Sequence, residues 1–208
     1  MKIKVCGMRE ADNIRAVDAL GVDYMGFIFY PRSSRYISEI PAFMPEGAER
    51  VGVFVDASPA DIIDRISSYG LHIVQLHGHE SPQRCQELRM SADGLFCERI
   101  RIWKAISIDS IGDLQDCGKY VQCVDGFVFD TKCSSYGGSG SKYDWNVLSA
   151  YTFPLPFLLS GGIGPDDADK IRSFHHPAFM GIDLNSRFES APAVKDIEKL
   201  NTFIKRIQ

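Results

Sequence analysis

No stretch of the 208-residue chain is long and apolar enough to cross a bilayer. The longest apolar stretches, such as Tyr24–Tyr30, fall far short of the ~20 residues a spanning helix needs. A surplus of positive charge is also missing. With 23 Lys and Arg against 27 Asp and Glu, the formal charge is -4 and the sequence pI is near 5.7. No broad basic surface therefore points to nucleic acid. The segment Met1–Cys6 has no apolar export core and runs straight into a strand-like pattern, so the expected location is the cytoplasm. None of the six cysteines (Cys6, Cys85, Cys97, Cys117, Cys123, Cys133) forms a C-x-x-C pair, which removes support for a zinc ribbon or a thioredoxin-type redox motif. In a reducing compartment most of them read as small core residues. At 45% hydrophobic and 24% charged residues, the composition excludes a disordered chain, a fibre and a small disulfide scaffold.

What is present is repetition of one unit. Short β-rich runs occur at Lys2–Cys6, Tyr24–Phe29, Arg50–Val55, Ile73–His77, Ile102–Ile106, Gly126–Asp130, Phe157–Ser160 and Phe179–Leu184. Eight runs in 208 residues make about 26 residues per unit, and most gaps carry a helical pattern. Ala11–Leu20 places Ile14, Val17 and Leu20 on one face, and Pro59–Tyr69 does the same with Ile62, Ile63 and Ile66. Ser81-Pro82 has the form of a helix start, and Pro165-Asp166-Asp167 puts two acids in a first turn. Asp196–Ile207 reads as a closing amphipathic helix. Between Pro31 and Glu49, Pro41 and Pro45 interrupt any helix. Strand–helix alternation predicts a parallel sheet covered by helices, and eight units predict a single (β/α)8 TIM barrel over residues 1–208. The rival, an open doubly wound sheet, would carry a Gly-rich dinucleotide turn after the first strand. Cys6-Gly7-Met8-Arg9 is not one.

In such a barrel the chemistry sits at the C-terminal ends of the strands. Those ends hold a thiol (Cys6), an imidazole (His77) and carboxylates (Asp130, Asp183). Ser160-Gly161-Gly162-Ile163-Gly164 after strand 7 is the clearest local motif, because glycines let bare N–H groups approach a phosphate. Asn185-Ser186 after strand 8 supply further donors. The structural alternative is a turn that merely joins strand to helix. Gly137-Gly138-Ser139-Gly140 reads as an active-site loop after strand 6. His77-Gly78-His79 has the spacing of a metal pair, but the other histidines, His72, His175 and His176, fall away from the rim, so no metal is expected. Lys4 lies two residues before Cys6 on the same strand face, roughly 6.6 Å away. At an effective dielectric near 20 that is worth about 2.5 kcal/mol, enough to lower the thiol pKa unless a core acid claims Lys4.

Lys4-Val5-Cys6-Gly7-Met8, Val51-Gly52-Val53-Phe54, Val74-Gln75-Leu76-His77-Gly78, Asp130-Thr131-Lys132, Gly137–Gly140 with Asp144-Trp145, Ser160-Gly161-Gly162-Ile163 and Gly181-Ile182-Asp183 together resemble the phosphoribosylanthranilate isomerase family of tryptophan biosynthesis. The motifs occur in the family's order and run from Lys4 to Asp196. The resemblance implies an Amadori rearrangement of a small phosphorylated substrate, without cofactor, metal, nucleic acid or membrane, by a monomer or homodimer. It implies Cys6 as general base and Asp130 as general acid. Asp130 must carry a proton to act as the acid. It further implies substrate contacts from Arg35, His77 and Asp183, and phosphate held by Gly161, Gly162, Asn185 and Ser186. The chain departs from the family at one place: Asn185-Ser186-Arg187-Phe188-Glu189 stands where Ser-Ser-Gly-Val-Glu is usual, so Arg187 replaces a glycine. Two other readings compete. The sister isomerase of histidine biosynthesis resembles a barrel with Asp at the end of strand 1 and a second phosphate loop after strand 3, where this chain has Cys6 and Val55-Asp56-Ala57-Ser58. An inactive phosphate-binding barrel would be expected to lose the Cys6 and Asp130 pair first.

Overall fold

The structure is a computed structural model that describes residues 1–130 and 145–208. Eight parallel strands close on themselves in chain order: β1 (Lys2–Cys6), β2 (Tyr24–Ile28), β3 (Glu49–Phe54), β4 (Ile73–Leu76), β5 (Arg101–Ser107), β6 (Gly126–Asp130), β7 (Phe157–Ser160) and β8 (Phe179–Leu184). The seam is the pairing of β8 with β1, where Lys4 lies opposite Asp183. Side chains of a strand alternate between its two faces, which divides the core in two. Tyr24, Val51, Ile73, Trp103, Val128 and Leu158 fill the barrel interior, with Tyr24 edge-on to Trp103 at 5.0 Å. The other alternate set, including Val5, Phe27, Phe54, Leu76, Phe127, Phe129 and Leu184, packs outward against the helices.

The helices are α1 (Ala11–Asp18), α2 (Pro59–Tyr69), α3 (Pro82–Ala92), α4 (Ile111–Asp116), α5 (Ala168–Ser173) and α6 (Ile197–Ile207). Ser58, Ser81 and Asp196 cap α2, α3 and α6 by accepting from Asp61, Arg84 and Lys199 N–H, each cap worth roughly 1 kcal/mol. Leu200, Phe203, Ile204 and Ile207 bury one face of α6. No helix fills the β2–β3 connection, as Pro41 and Pro45 predict. That connection is held instead by the Asp18 carboxylate, which accepts from the N–H groups of Glu46, Gly47 and Ala48. Apart from shifts of one or two residues at the ends of β2, β3, β5, α1 and α6, the structure departs from the sequence reading at His77, which falls just beyond β4, and in a short antiparallel hairpin, β9 (Glu189–Ala191) with β10 (Val194–Lys195), that follows β8. The hairpin turns on Ala193, which has φ of 67° and is fully buried, a conformation that local propensity does not foretell.

Candidate active site

The inward-facing residues at the C-terminal ends of the strands enclose a cavity of about 230 Å³. Cys6 enters from β1, Gln75 from β4, Asp130 from β6, Ser160 from β7 and Asp183 from β8. His77, Gly161, Gly162, Asn185, Ser186 and Arg187 close the loop side. The structure thus brings together every sequence-predicted site residue except Arg35. Gly137–Gly140, Cys133 and Asp144 lie outside the described residues.

Cys6 is 4% exposed. Room for its sulfur comes from Gly26 across the β1–β2 pairing: a Cβ there would stand 2.6 Å from Sγ. The Lys4 ammonium, fully buried, donates to the Asp183 carboxylate at 2.9 Å. Burial works to lower the Lys4 pKa, but Asp183 and Cys6 outweigh it and hold the ammonium above its ordinary value. The expected lowering of the Cys6 thiol by Lys4 is not the net result. Burial pushes the thiol above its ordinary value, Asp183 adds to the rise, and Lys4 and Lys195 only oppose it. Burial is the largest of these effects, and Asp183, the acid that binds Lys4, takes back part of the help that Lys4 gives the sulfur.

Arg35 does not line the cavity. Its guanidinium is held by Glu189 through a forked pair, with Nε at 2.8 and 3.0 Å from the two carboxylate oxygens. Lys195, also fully buried, donates to Glu189 at 2.6 Å and to Asn185 Oδ1 at 2.8 Å. Burial by itself would raise the Glu189 carboxyl, but hydrogen bonds from Arg35 and Lys195 outweigh it and hold the pKa below the usual value.

On the opposite wall His77 Nε2 stands 3.6 Å from Asp130 Oδ2, and Gln75 Nε2 lies 3.2 Å from His77 Nδ1. The turn that carries His77 is bolted from beneath. Glu80 accepts from the N–H groups of Gly78 and Asp56 at 2.9 Å each, and the buried Lys104 ammonium donates to Gly78 O at 2.8 Å and to Glu80 at 3.2 Å. The two imidazoles of the His77-Gly78-His79 segment part company: His79 is exposed, with its N–H on the Asp56 carboxylate. Gly161 and Gly162 adopt φ of 93° and 68°, left-handed conformations that open a backbone cradle beside Ser186 and Arg187.

A sequence profile described as N-(5'phosphoribosyl)anthranilate (PRA) isomerase matches residues 3–206. The chain belongs to this family. A relative from Phocaeicola vulgatus, N-(5'-phosphoribosyl)anthranilate isomerase, is 47% identical over 208 residues, covering 100% of this chain and 98% of its own. The crystal structure of phosphoribosyl anthranilate isomerase from Thermotoga maritima is 32% identical with a TM-score of 0.81, and the match covers 100% of this chain and 98% of that one. Another isomerase structure, in complex with reduced 1-(o-carboxyphenylamino)-1-deoxyribulose 5-phosphate, has a TM-score of 0.78 at 28% identity, with coverage of 100% and 98%.

Sequence reasoning missed Gln75, Glu189 and Lys195 as parts of the isomerase site. For Gln75 a signal exists. It shares the inward face of β4 with Ile73, where a polar side chain stands out against the apolar barrel filling. Glu189 keeps the place of the family's Glu after strand 8, but nothing local shows what it binds; for Lys195 there is no signal, because it belongs to a hairpin that lacks a hydrophobic alternation of its own.

Proposed function

We propose that the chain converts N-(5-phosphoribosyl)anthranilate to 1-(2-carboxyphenylamino)-1-deoxyribulose 5-phosphate, with Asp130 as general acid and Cys6 as general base. The observation that carries the assignment is that these two groups face one cavity from β6 and β1, with the Gly161-Gly162 cradle beside them. Asp130 gives its proton to the furanose ring oxygen, and the C1–O bond breaks to leave a Schiff base at C1. Cys6 then takes the proton from C2, and the electron pair moves to form an enolamine. Protonation at C1 and loss of the enol proton give the ketone at C2. No oxidant or reductant enters, since C1 is reduced as C2 is oxidised. Each acid–base step is of the kind that contributes about 10²–10⁴-fold to rate.

Gly161, Gly162, Asn185 and Ser186 hold the phosphate, and His77 and Asp183 contact the sugar end. The family likeness gives Arg35 the anthranilate carboxylate; Glu189 holds its guanidinium beside Asn185, where a Cβ on Gly7 would stand 2.7 Å from Arg35 Cδ and 3.0 Å from Asn185 Oδ1, so that role requires the guanidinium to turn from Glu189 to the substrate. The substrate is a small phosphorylated molecule and the expected setting is the cytoplasm. Turnover of phosphoribosyl pyrophosphate and anthranilate, coupled to the preceding transferase, tests the reading. Formation of the carboxyphenylamino-deoxyribulose phosphate is expected, and no turnover with correctly folded protein would refute it.

A further inference from the structure

Five charged side chains crowd the β1–β8 side of the cavity, and their charges do not cancel. Lys4 pairs with Asp183, while Arg35 and Lys195 share the single carboxylate of Glu189. Three cations therefore meet two anions. Four of the five are shut away from water and one is partly open to it: Lys4 and Lys195 are 0% exposed at the side chain, Glu189 5% and Asp183 6%, against 22% for Arg35. An unmatched charge in such a place is costly unless a further anion or hydrogen-bond acceptor balances it.

Cys6 is the ionisable group this cluster surrounds. Lys4 and Asp183 approach it from its own strand and from β8, and Gly26 on β2 leaves the sulfur uncovered by any side chain of that strand. Arg35, from the β2–β3 connection, and Asn185, after β8, press on the next residue, Gly7. Lys195 reaches the same place from β10 through Asn185 Oδ1. Across the cavity stand His77 and Asp130, while Arg187 lines it from the turn just after β8. We infer that Lys195 is a positioning residue whose charge, only partly answered by a Glu189 carboxylate that Arg35 also holds, is balanced by the Cys6 thiolate. The inference rests on the reading of Cys6 as the base. Lys4 would be the expected source of such support from sequence, but Asp183 answers its charge. Lys195, 189 positions away in the chain, is what tips the local sum to a single positive charge.

The test is the pH dependence of Cys6 alkylation by iodoacetamide, followed on the peptide that contains Cys6 by mass spectrometry and without substrate. Lys195→Met should move the midpoint upward by about one pH unit or more. Lys195→Arg should restore it to within a few tenths. Glu189→Gln, which removes a negative charge from the same cluster, should move it down. An unmoved midpoint in folded Lys195→Met overturns the inference, as does an upward shift in Glu189→Gln. Should Lys195→Met not fold, the Glu189→Gln shift decides: downward supports the inference, unchanged or upward overturns it. A raised KM in Lys195→Met with an unmoved thiol assigns the surplus charge to a substrate anion instead and also overturns it. Cys6→Ala turnover is scored separately. Near-native activity there removes Cys6 as the base whatever the alkylation shows.

Discussion

The two walls of the cavity are built on opposite principles. On the β1–β8 wall the thiol of Cys6 is 4% exposed and sits among buried, mutually bound charges. On the β4–β6 wall Asp130 and His77 keep 32% and 39% of their side-chain surface open and stand 3.6 Å apart. A group that must give a proton to a ring oxygen can be met at an open wall. A thiol that must become an anion inside a barrel needs charge placed around it in advance, since burial alone works against the thiolate. The contrast explains why the cost of building this site falls on one side of the barrel.

The largest expected effect would come from removing either end of the pair. Cys6→Ala and Asp130→Asn should each lower kcat by about 10²–10⁴-fold while product-analogue affinity changes by less than about tenfold. Equal, large losses of affinity in both would mean that the walls bind rather than react. Breaking the charged wall is the next test. Lys4→Met leaves Asp183 buried and unpaired, a loss of about 3–5 kcal/mol. For a chain of this size that is roughly 6–20 °C in Tm, measured calorimetrically. A change of similar size in Asp130→Asn would erase the contrast between the walls. Gly162→Asp, at a left-handed residue of the cradle, should raise KM by at least about tenfold and abolish protection of the fold by inorganic phosphate. Titration supplies a smaller effect. The Glu189 carboxyl is held below its ordinary value in the folded chain, so its contribution to stability is complete above the unfolded value of about 4.3 and is lost as pH falls through the folded value. Tm measured from pH 6 to pH 3 should therefore fall more steeply for the native chain than for Glu189→Gln. Least of all, Arg187→Gly, which removes a guanidinium from the cavity lip, should raise KM by about two- to fivefold, consistent with an exposed charge.

The open wall was also the legible one. Asp130 and His77 lie at or just past strand ends that period-2 alternation marks, and the glycines of Gly161-Gly162 announce their own backbone geometry. The barrel itself follows from the same alternation repeated eight times. On the charged wall alternation places Cys6, Lys4 and Asp183 but not the pairs they form. The partners that decide its electrostatics come from far along the chain: Lys4 meets Asp183 across 179 positions and Arg35 meets Glu189 across 154. Pairings of that kind depend on barrel closure and on the β9–β10 hairpin, whose turn at Ala193 carries no glycine to signal it. Alternation puts Lys4 beside Cys6 and leaves open whether a core acid claims it; which acid does so, Asp183, shows only once β8 lies next to β1.

If the thiol of Cys6 removes the proton from C2, an isotope placed at that carbon follows the step. Substrate carrying deuterium at C2 is turned over by the native chain and by Cys6→Ala, and release of the label to water is followed against time. Label should leave in step with product formation for the native chain, and at least about 10²-fold more slowly for Cys6→Ala with the fold intact. Label lost from C2 at a near-native rate without the thiol would contradict that role for Cys6.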